Sequence, residues 1–362
     1  MRGAIAAILA WGAAACGSGA AGVDATSAPD ALACAPSAAS SVPIVFGTAD
    51  GIDLDSASAL EAGRVRVIFD SFDAAFETGR LWEGARELGD LGSVRAPRQL
   101  ELGDEAFVAA PSRVRLGDGA YLYFVVGTSL GVAPELARAR IEADGFGPRE
   151  DLGPLAGADS LLAWPRFETL PDGRIAVAFH DGVGRPSLAL SDDGRVFGAA
   201  TVVDTAPRAM AKVTAFGDGT LAFTYQTGAN PMISYVRVAP PPAAGAPPVW
   251  SAPFVVTEAS SNVHDTSAVV RADGDLDLYY IYPPGPAFRV FRRALARDGR
   301  LGPEEAVTGE ASGDASKPRV VRLDGCRVLL TYAEITVRDG AGQPIQQRLG
   351  AVVIDGDAPQ VP

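Results

Sequence analysis

Apolar and polar positions repeat along the chain with a period of about fifty residues. Each repeat has a small or proline-led entry, an apolar strand, a glycine turn and a second apolar strand. The second strands show little polar alternation, which is typical of strands that are covered on both faces. They lie at 65–69, 121–126, 175–179, 221–225, 276–281 and 328–332. Six such repeats predict an all-β fold, a six-bladed β-propeller.

The last repeat predicts how the ring closes. It ends before a fourth strand, whereas residues 42–46 precede the first repeat and have no blade of their own. We predict that this N-terminal strand completes the last blade and removes an exposed sheet edge. The propeller would then span 42–356, with a tail at 357–362. The first-strand entries and the loops after the second strands would share one face, which we call the mouth.

The N-terminus predicts export. A short apolar run ends in Ala-Ala-Ala-Cys16, which resembles a bacterial lipobox and implies a signal peptide at 1–15 and a lipid on Cys16. The alternative is an ordinary secretory signal. Gly17 after the cysteine resembles the pattern of outer-membrane lipoproteins. Residues 16–41 are rich in Ala, Ser, Gly and Pro and predict a flexible tether. We therefore expect a lipoprotein of the bacterial outer membrane, on its periplasmic or its surface face.

The two remaining cysteines predict a disulfide. In an oxidising compartment an exposed thiol is unusual, which leaves Cys34 and Cys326 as partners. Cys326 follows the Gly325 turn, on the face opposite the mouth, and the closing strand would begin on that same face. The disulfide would attach the tether to the sixth blade.

Charge limits the partners. The net charge is −13 with a pI near 4.7, which argues against nucleic acid and against bulk attraction to anionic lipid. We expect a monomer that meets the membrane only through its lipid anchor and needs no cofactor. Three aspartates, Asp50, Asp53 and Asp55, could hold structural calcium, although their spacing misses the EF-hand pattern and a solvated turn is the alternative.

Rare cations mark the predicted mouth. The chain has 31 basic residues but two lysines and two histidines, and most of these fall at first-strand entries or just after a second strand. The candidate ligand-binding residues are Arg113, Arg166, Lys212, His264, Lys317, Arg319 and His180. Such a group suits a carboxylate, sulfate or phosphate. The alternative is that these cations pair with Asp55, Asp265 and Glu168.

The direction of some of these side chains stays open. Arg113 and Arg166 differ by one position within their repeats, so they need not point the same way. His264-Asp265 and His180-Asp181 could serve in acid–base chemistry. Neighbours on a strand face opposite sides, however, which favours polar residues at the rim.

A resemblance supports the fold. Ser191-Asp-Asp-Gly-Arg-Val-Phe197 resembles the Asp-box turn of six-bladed sialidase-type propellers. The stretch 111–126 resembles the five-bladed arabinanase and fructosidase superfamily, whose catalytic Asp precedes a proline. Here Ala110 and Trp164 stand in that place, and the Arg-Ile-Pro motif of sialidases is missing from the first blade. The resemblance implies the propeller and no catalytic residue.

Catalytic candidates therefore rest on few residues. Tyr332 and Glu334 close the second strand of the sixth blade and resemble the Tyr–carboxylate pair of sialidases, and Asp265 lies at an inner-strand entry. We predict an envelope-anchored module that binds an acidic glycan, or a similar small acidic ligand, at the mouth. The alternatives are a sialidase-like glycoside hydrolase or lyase and a non-catalytic assembly scaffold.

Overall fold

A computed structural model describes residues 44–48, 51–93, 95–128, 134–143, 145–155, 161–227, 231–243, 245–258, 263–282, 289–307, 314–338, 340 and 344–358. The chain divides into two units, 1–32 and 33–362, and all described residues belong to the second. The predicted signal peptide and tether, with Cys16 and Cys34, lie outside the described residues, as does Asp50.

The described residues form 24 strands and no helix, in six groups of four that we call blades one to six. Blade one holds β2 (Ile52–Glu61), β3 (Arg64–Phe72), β4 (Gly79–Glu87) and β5 (Arg98–Gln99), and blade two holds β6 (Phe107–Leu116), β7 (Gly119–Gly127), β8 (Glu135–Glu142) and β9 (Gly145–Gly153). Blade three holds β10 (Leu161–Thr169), β11 (Ile175–His180), β12 (Pro186–Ser191) and β13 (Thr201–Val202).

Blade four holds β14 (Ala209–Ala215), β15 (Leu221–Gln226), β16 (Ser234–Ala239) and β17 (Phe254–Val255), and blade five holds β18 (His264–Val270), β19 (Leu276–Tyr282), β20 (Arg289–Leu295) and β21 (Glu305–Ala306). Blade six holds β22 (Asp314–Arg322), β23 (Arg327–Arg338) and β24 (Pro344–Asp355), joined by β1 (Ile44–Val45) from the start of the described chain. Within each blade, neighbouring strands pair antiparallel, and single parallel bridges link blade six to blade one and blade one to blade two.

The first described strand pairs where the sequence predicts. β1 runs antiparallel to β24, with Ile44 opposite Ala351 and Val45 opposite Gly350. Phe46, which follows β1, is 1% exposed and packs in a cluster that joins blade one to blade six. A Cβ added at Gly84 of β4 would lie 2.8 Å from the Phe46 ring, so this glycine lets the ring approach the strand.

The hydrophobic core lies between consecutive blades. Six buried clusters each combine residues of two neighbouring blades, and one of them combines blades six and one. All residues of β15 and β19 are buried. This is why the second strands lack alternation, because each of their faces meets an adjacent blade.

The predicted C-terminal tail contacts blade five. Ala358, in the predicted tail, donates its N–H to Asp277, and its carbonyl accepts a hydrogen bond from Arg271.

Cys326 lies in the turn between β22 and β23. Since its predicted partner Cys34 lies outside the described residues, the disulfide stays a prediction. Among the described residues, none forms a helix that could cross a membrane.

Candidate functional site

A repeated irregularity in the first strands positions the candidate site. In β6, β10, β14, β18 and β22 the pairing register shifts, and one residue adopts a left-handed φ between 51° and 58°. These residues are Ala110, Trp164, Met210, Asp265 and Lys317. Bulges of this kind redirect side chains and concentrate near functional sites.

The bulges bring three predicted cations into one column. Arg166, Lys212 and Arg319 each lie two residues after the left-handed position of their strand. Serines occupy the same column in the other two strands, at Ser112 and Ser267. The column explains why these cations converge although they come from three different blades.

Asp55 of β2 is the centre of the cluster. It is 1% exposed, forms ion pairs with Arg166 and Arg319, and lies 3.9 Å from the Nζ of Lys317. Burial alone would raise the pKa of Asp55, but Arg166 and Arg319 hold it below its ordinary value. Asp55 is therefore ionised at neutral pH.

Asp265 is the second carboxylate of the cluster. Its oxygens lie 2.5 Å from the Nζ of Lys212 and 3.0 Å from the guanidinium of Arg319. Burial opposes ionisation, yet these two cations keep the pKa of Asp265 below its ordinary value. Arg319 thus bridges Asp55 and Asp265, and the pairing that the sequence leaves as an alternative exists for both carboxylates.

Two buried groups titrate near neutrality. Burial, and then the neighbouring Arg319, lowers the pKa of Lys212 to about 7. Burial, and then the charge of Asp55, raises the pKa of Asp70 to about 6. Asp70 accepts the backbone N–H groups of Asp55 and Ala110 at 2.7 and 3.0 Å. Below pH 6 the cluster therefore has four cationic side chains and two ionised carboxylates.

Lys317 adds an aromatic contact to the cluster. Its Nζ lies 4.4 Å from the centroid of the Trp164 ring, a cation–π geometry. Within the described chain, Trp164 Nε1, Arg166 Nε and Arg319 Nε are buried and have no hydrogen-bond partner. These enclosed donors retain hydrogen-bonding capacity beside the ion pairs.

Two cavities adjoin the cluster. The first, which we call the Trp164 pocket, has a volume of about 210 Å³ and mostly apolar walls. Its walls include Trp164, Arg166, His180, Met210, Lys212 and Arg319. The second, the inner-strand cavity, has a volume of about 260 Å³ and takes wall residues from the first strands of all six blades. Arg166, Lys212 and Arg319 border both, so an anion in either cavity would meet the same cations.

Glu168 lies in the inner-strand cavity and is not among the ion-paired carboxylates. Burial raises its pKa to about 8, and the N–H of Ala215 is its hydrogen-bond donor. The side chain is therefore mostly protonated at neutral pH, unlike Asp55 and Asp265. The expectation that Glu168 neutralises a mouth cation is not met.

Arg113, His180 and His264 take other positions. Arg113 pairs with Glu61 at 2.5 Å rather than with Asp55 or Asp265, and it is a wall residue of the inner-strand cavity. His180 lines the Trp164 pocket. The neighbouring Asp181 binds Arg185 within its own turn. His264 begins β18, and its side chain lies outside the described residues.

Tyr332 lies in the core, and Glu334 has an ion-pair partner on the next strand. Tyr332 is 1% exposed within the cluster between blades five and six, and burial, followed by Glu334, raises its pKa to about 12. Glu334 instead lies 2.7 Å from Arg348 on the adjacent strand.

The possible calcium ligands have other partners. Asp53 accepts hydrogen bonds from the Thr48 backbone N–H at 2.8 Å and from the Thr48 hydroxyl at 2.9 Å. Asp55 is ion-paired, and Asp50 lies outside the described residues. Within the described chain, no group of three His, Cys, Asp or Glu side chains is placed to hold a metal ion.

Sequence reasoning missed Asp70 and the role of Trp164. Asp70 could have been identified from the sequence, because it is a charged residue that directly follows the apolar run 65–69. The Asp-box turn has the expected structural form, since the Asp193 carboxylate accepts the N–H groups of Arg195 and Val196 at 2.7 and 2.9 Å.

Solved structures resemble this chain at low identity. A protein of unknown function from Dyadobacter fermentans is 16% identical with a TM-score of 0.66, covering 87% of this chain and 98% of its own. The NanB sialidase of Streptococcus pneumoniae, in complex with 2-[(3-chlorobenzyl)ammonio]ethanesulfonate, is 9% identical with a TM-score of 0.61, covering 86% and 70%. An α-L-arabinanase of Penicillium chrysogenum, complexed with arabinobiose, is 12% identical with a TM-score of 0.54, covering 86% and 97%.

No family model and no curated protein matches the sequence. At these identities the structural likeness shows the fold alone, which is that of the propeller glycosidases, sialidases and arabinanases.

Proposed function

We propose that this chain is a closed six-bladed propeller that binds an acidic glycan at the Trp164 pocket. It would be held in the bacterial outer membrane by a lipid on Cys16. The observation that carries the binding proposal is the column of Arg166, Lys212 and Arg319, which borders this pocket in a chain of net charge −13. Lys317 adds a fourth cation beside Asp55.

Ring closure has three lines of support. Hydrophobic clusters join each blade to the next and blade six to blade one. β1 pairs with β24 as the fourth strand of blade six. The inner-strand cavity takes wall residues from all six first strands. These features are those of a ring in which each blade covers its neighbour.

The charge state of the cluster supports an anionic ligand. Asp55 and Asp265 offset two of the four cations, and Asp70 and Lys212 titrate near neutrality. The apolar wall with Trp164 offers a face for a sugar ring, while arginine suits carboxylate and sulfate groups. The sulfonate in the NanB sialidase complex and the arabinobiose in the arabinanase complex are acidic and saccharide ligands of related folds.

Binding is favoured over hydrolysis by the state of the carboxyl groups. A glycosidase of the usual kind needs a protonated carboxyl and an ionised one on opposite sides of the scissile bond. Asp55 and Asp265 are both held ionised by ion pairs. Glu168 is mostly protonated at neutral pH, but it lies in the inner-strand cavity and is not a wall residue of the Trp164 pocket. Asp70 titrates higher, but both of its oxygens accept backbone N–H groups and it is fully buried. It therefore supports the strand entries rather than a substrate.

The test is calorimetric titration of the purified full chain with uronate, sulfated and neutral oligosaccharides. Replacing Lys317→Met keeps an apolar contact with Trp164 and removes one charge, so affinity for acidic ligands should fall about tenfold, or about 1.4 kcal/mol. Arg300→Met is the matched control, because that side chain is 63% exposed on a distant turn.

Equal binding of acidic and neutral ligands, or unchanged binding by the Lys317 variant, would refute the proposal. Hydrolysis or cleavage of a bound glycan would support the hydrolase or lyase alternative. If no ligand binds, the result would support the alternative of a non-catalytic assembly scaffold.

A further inference from the structure

A second groove lies beside β1, between blades one and six. Its volume is about 820 Å³, and it shares no wall residue with the Trp164 pocket. We call it the β1 groove. Among the described residues, its charged wall residues are Arg86, Arg95 and Arg348, and none of its wall residues is an Asp or Glu. In a chain of net charge −13, this is a local concentration of positive charge.

Arg86 is a buried cation for which the described residues provide no counterion. It is 2% exposed and donates to the backbone carbonyls of Ala85, Val45 and Arg95 at 3.0–3.1 Å. Its guanidinium lies 5.1 Å from the centroid of the Phe46 ring. Within the described chain it has no carboxylate within 4 Å, and its Nε has no hydrogen-bond partner.

The other buried arginines differ from Arg86 in this respect. Each of them has a carboxylate partner: Arg138 with Glu150, Arg166 with Asp55, Arg271 with Asp277 and Arg292 with Glu305. Burying a charge is costly unless it is paired. The neighbours of Arg86 increase this cost, since burial first and then the charge of Arg95 lower its pKa.

The other charges that the structure describes near the groove do not compensate this positive charge. Arg348 pairs with Glu334 at 2.7 Å but keeps 42% of its side chain exposed. The nearby Asp53 carboxylate accepts the N–H groups of Thr48 and Leu349. An anionic ligand would therefore supply the counter-charge that the described chain does not.

The other walls of the groove favour a saccharide as the carrier of that charge. They include the partly buried indole of Trp82 and polar groups at Thr48, Ser71, Thr336 and Gln346. An aromatic face with hydroxyl and amide groups around it suits sugar rings, and arginine suits their carboxylates or sulfates. The volume exceeds that of the Trp164 pocket almost fourfold, which suits several sugar units rather than one.

We propose that the β1 groove is a second binding site, which takes an acidic oligosaccharide whose charged groups face Arg86, Arg95 and Arg348. The proposal does not rest on the Trp164 pocket, because the two sites have no residue in common. An experiment can therefore refute the proposal for one site without refuting the proposal for the other.

The experiment titrates the full chain with an oligogalacturonate and with a sulfated heparin-type oligosaccharide, by calorimetry. The double variant Arg95→Met with Arg348→Met should lose one class of sites and bind at least tenfold more weakly there. Arg98→Met is the matched control, since this arginine is 58% exposed on β5 and is not a wall residue of the groove. Lys317→Met should leave the groove intact.

A second readout keeps the proposal testable if the double variant folds poorly. In the wild-type chain, ligand should slow hydrogen exchange in β24 (Pro344–Asp355) and should alter tryptophan fluorescence, a change that Trp82→Phe reduces. The proposal is overturned if the double variant binds like the wild type, or if β24 exchange is unaffected. Binding of polyglutamate but not of either oligosaccharide would assign the groove to an acidic peptide instead.

Discussion

Phe46 provides the sharpest test of the proposed ring closure. The side chain is 1% exposed and packs with residues of blades one and six, including Val67 and Leu349. Replacing a buried Phe by Ala costs about 3–5 kcal/mol in protein cores. The lost cation–π contact with Arg86 adds about 0.5–1 kcal/mol. We expect Phe46→Ala to lower the free energy of unfolding by about 4 kcal/mol.

The assay is urea unfolding, with the free energy taken from the midpoint and the slope. Val45→Ala is the matched control, since Val45 is the adjacent residue but is 37% exposed, and its loss should be below about 1 kcal/mol. Deleting 42–47 should likewise cost far more stability than deleting 17–33.

A double-mutant cycle with Gly84 tests the contact itself. Gly84→Ala should destabilise the wild type because its Cβ would lie 2.8 Å from the Phe46 ring, and it should be tolerated once that ring is removed. Equal losses for Phe46→Ala and Val45→Ala, or strictly additive effects of the Gly84 and Phe46 changes, would refute the reasoning.

Three further outcomes are expected. Affinity for acidic ligands at the Trp164 pocket should rise as the pH falls from 8 to 6. The reason is that Lys212, which lies beside Asp265, Arg319 and Arg166, has a pKa of about 7 and gains its charge in this range. Calorimetry of the Lys212→Met variant should show a weaker dependence of affinity on pH. Asp55→Asn should cost about 3–5 kcal/mol in urea unfolding, because it leaves the buried Arg166 without its carboxylate and removes one of the two carboxylates of Arg319. Non-reducing peptide mapping should find a Cys34–Cys326 disulfide, and two free thiols there would exclude it.

Much of the fold can be predicted from patterns among residues that are close together in the sequence. The fifty-residue period, the glycine turns and the apolar second strands predict six four-strand units, because strand and turn preferences act over a few neighbouring residues. The pairing of the N-terminal strand with the last blade could also be inferred. The last repeat lacked a fourth strand, the N-terminal strand had no blade of its own, and pairing the two removes an exposed sheet edge.

The candidate site could be predicted only in part. The rarity of lysine and its place at the strand entries drew attention to Lys212 and Lys317, and the repeat offset separated Arg113 from Arg166. The sequence could not show that Tyr332 lies in the core, because its position at the end of a strand does not reveal which cluster its ring enters.

The sequence by itself thus determined the number of strand units, their order and the rarity of the cations. Only the tertiary structure decided which charges meet. The left-handed bulges turn side chains from separate blades toward Asp55, and Arg86 is buried with no carboxylate partner among the described residues. The physical reason is range. Strand and turn preferences act between near neighbours in the chain, whereas burial and ion pairing depend on residues that are far apart in sequence. The ion pair of Asp55 and Arg319, for example, spans 264 residues.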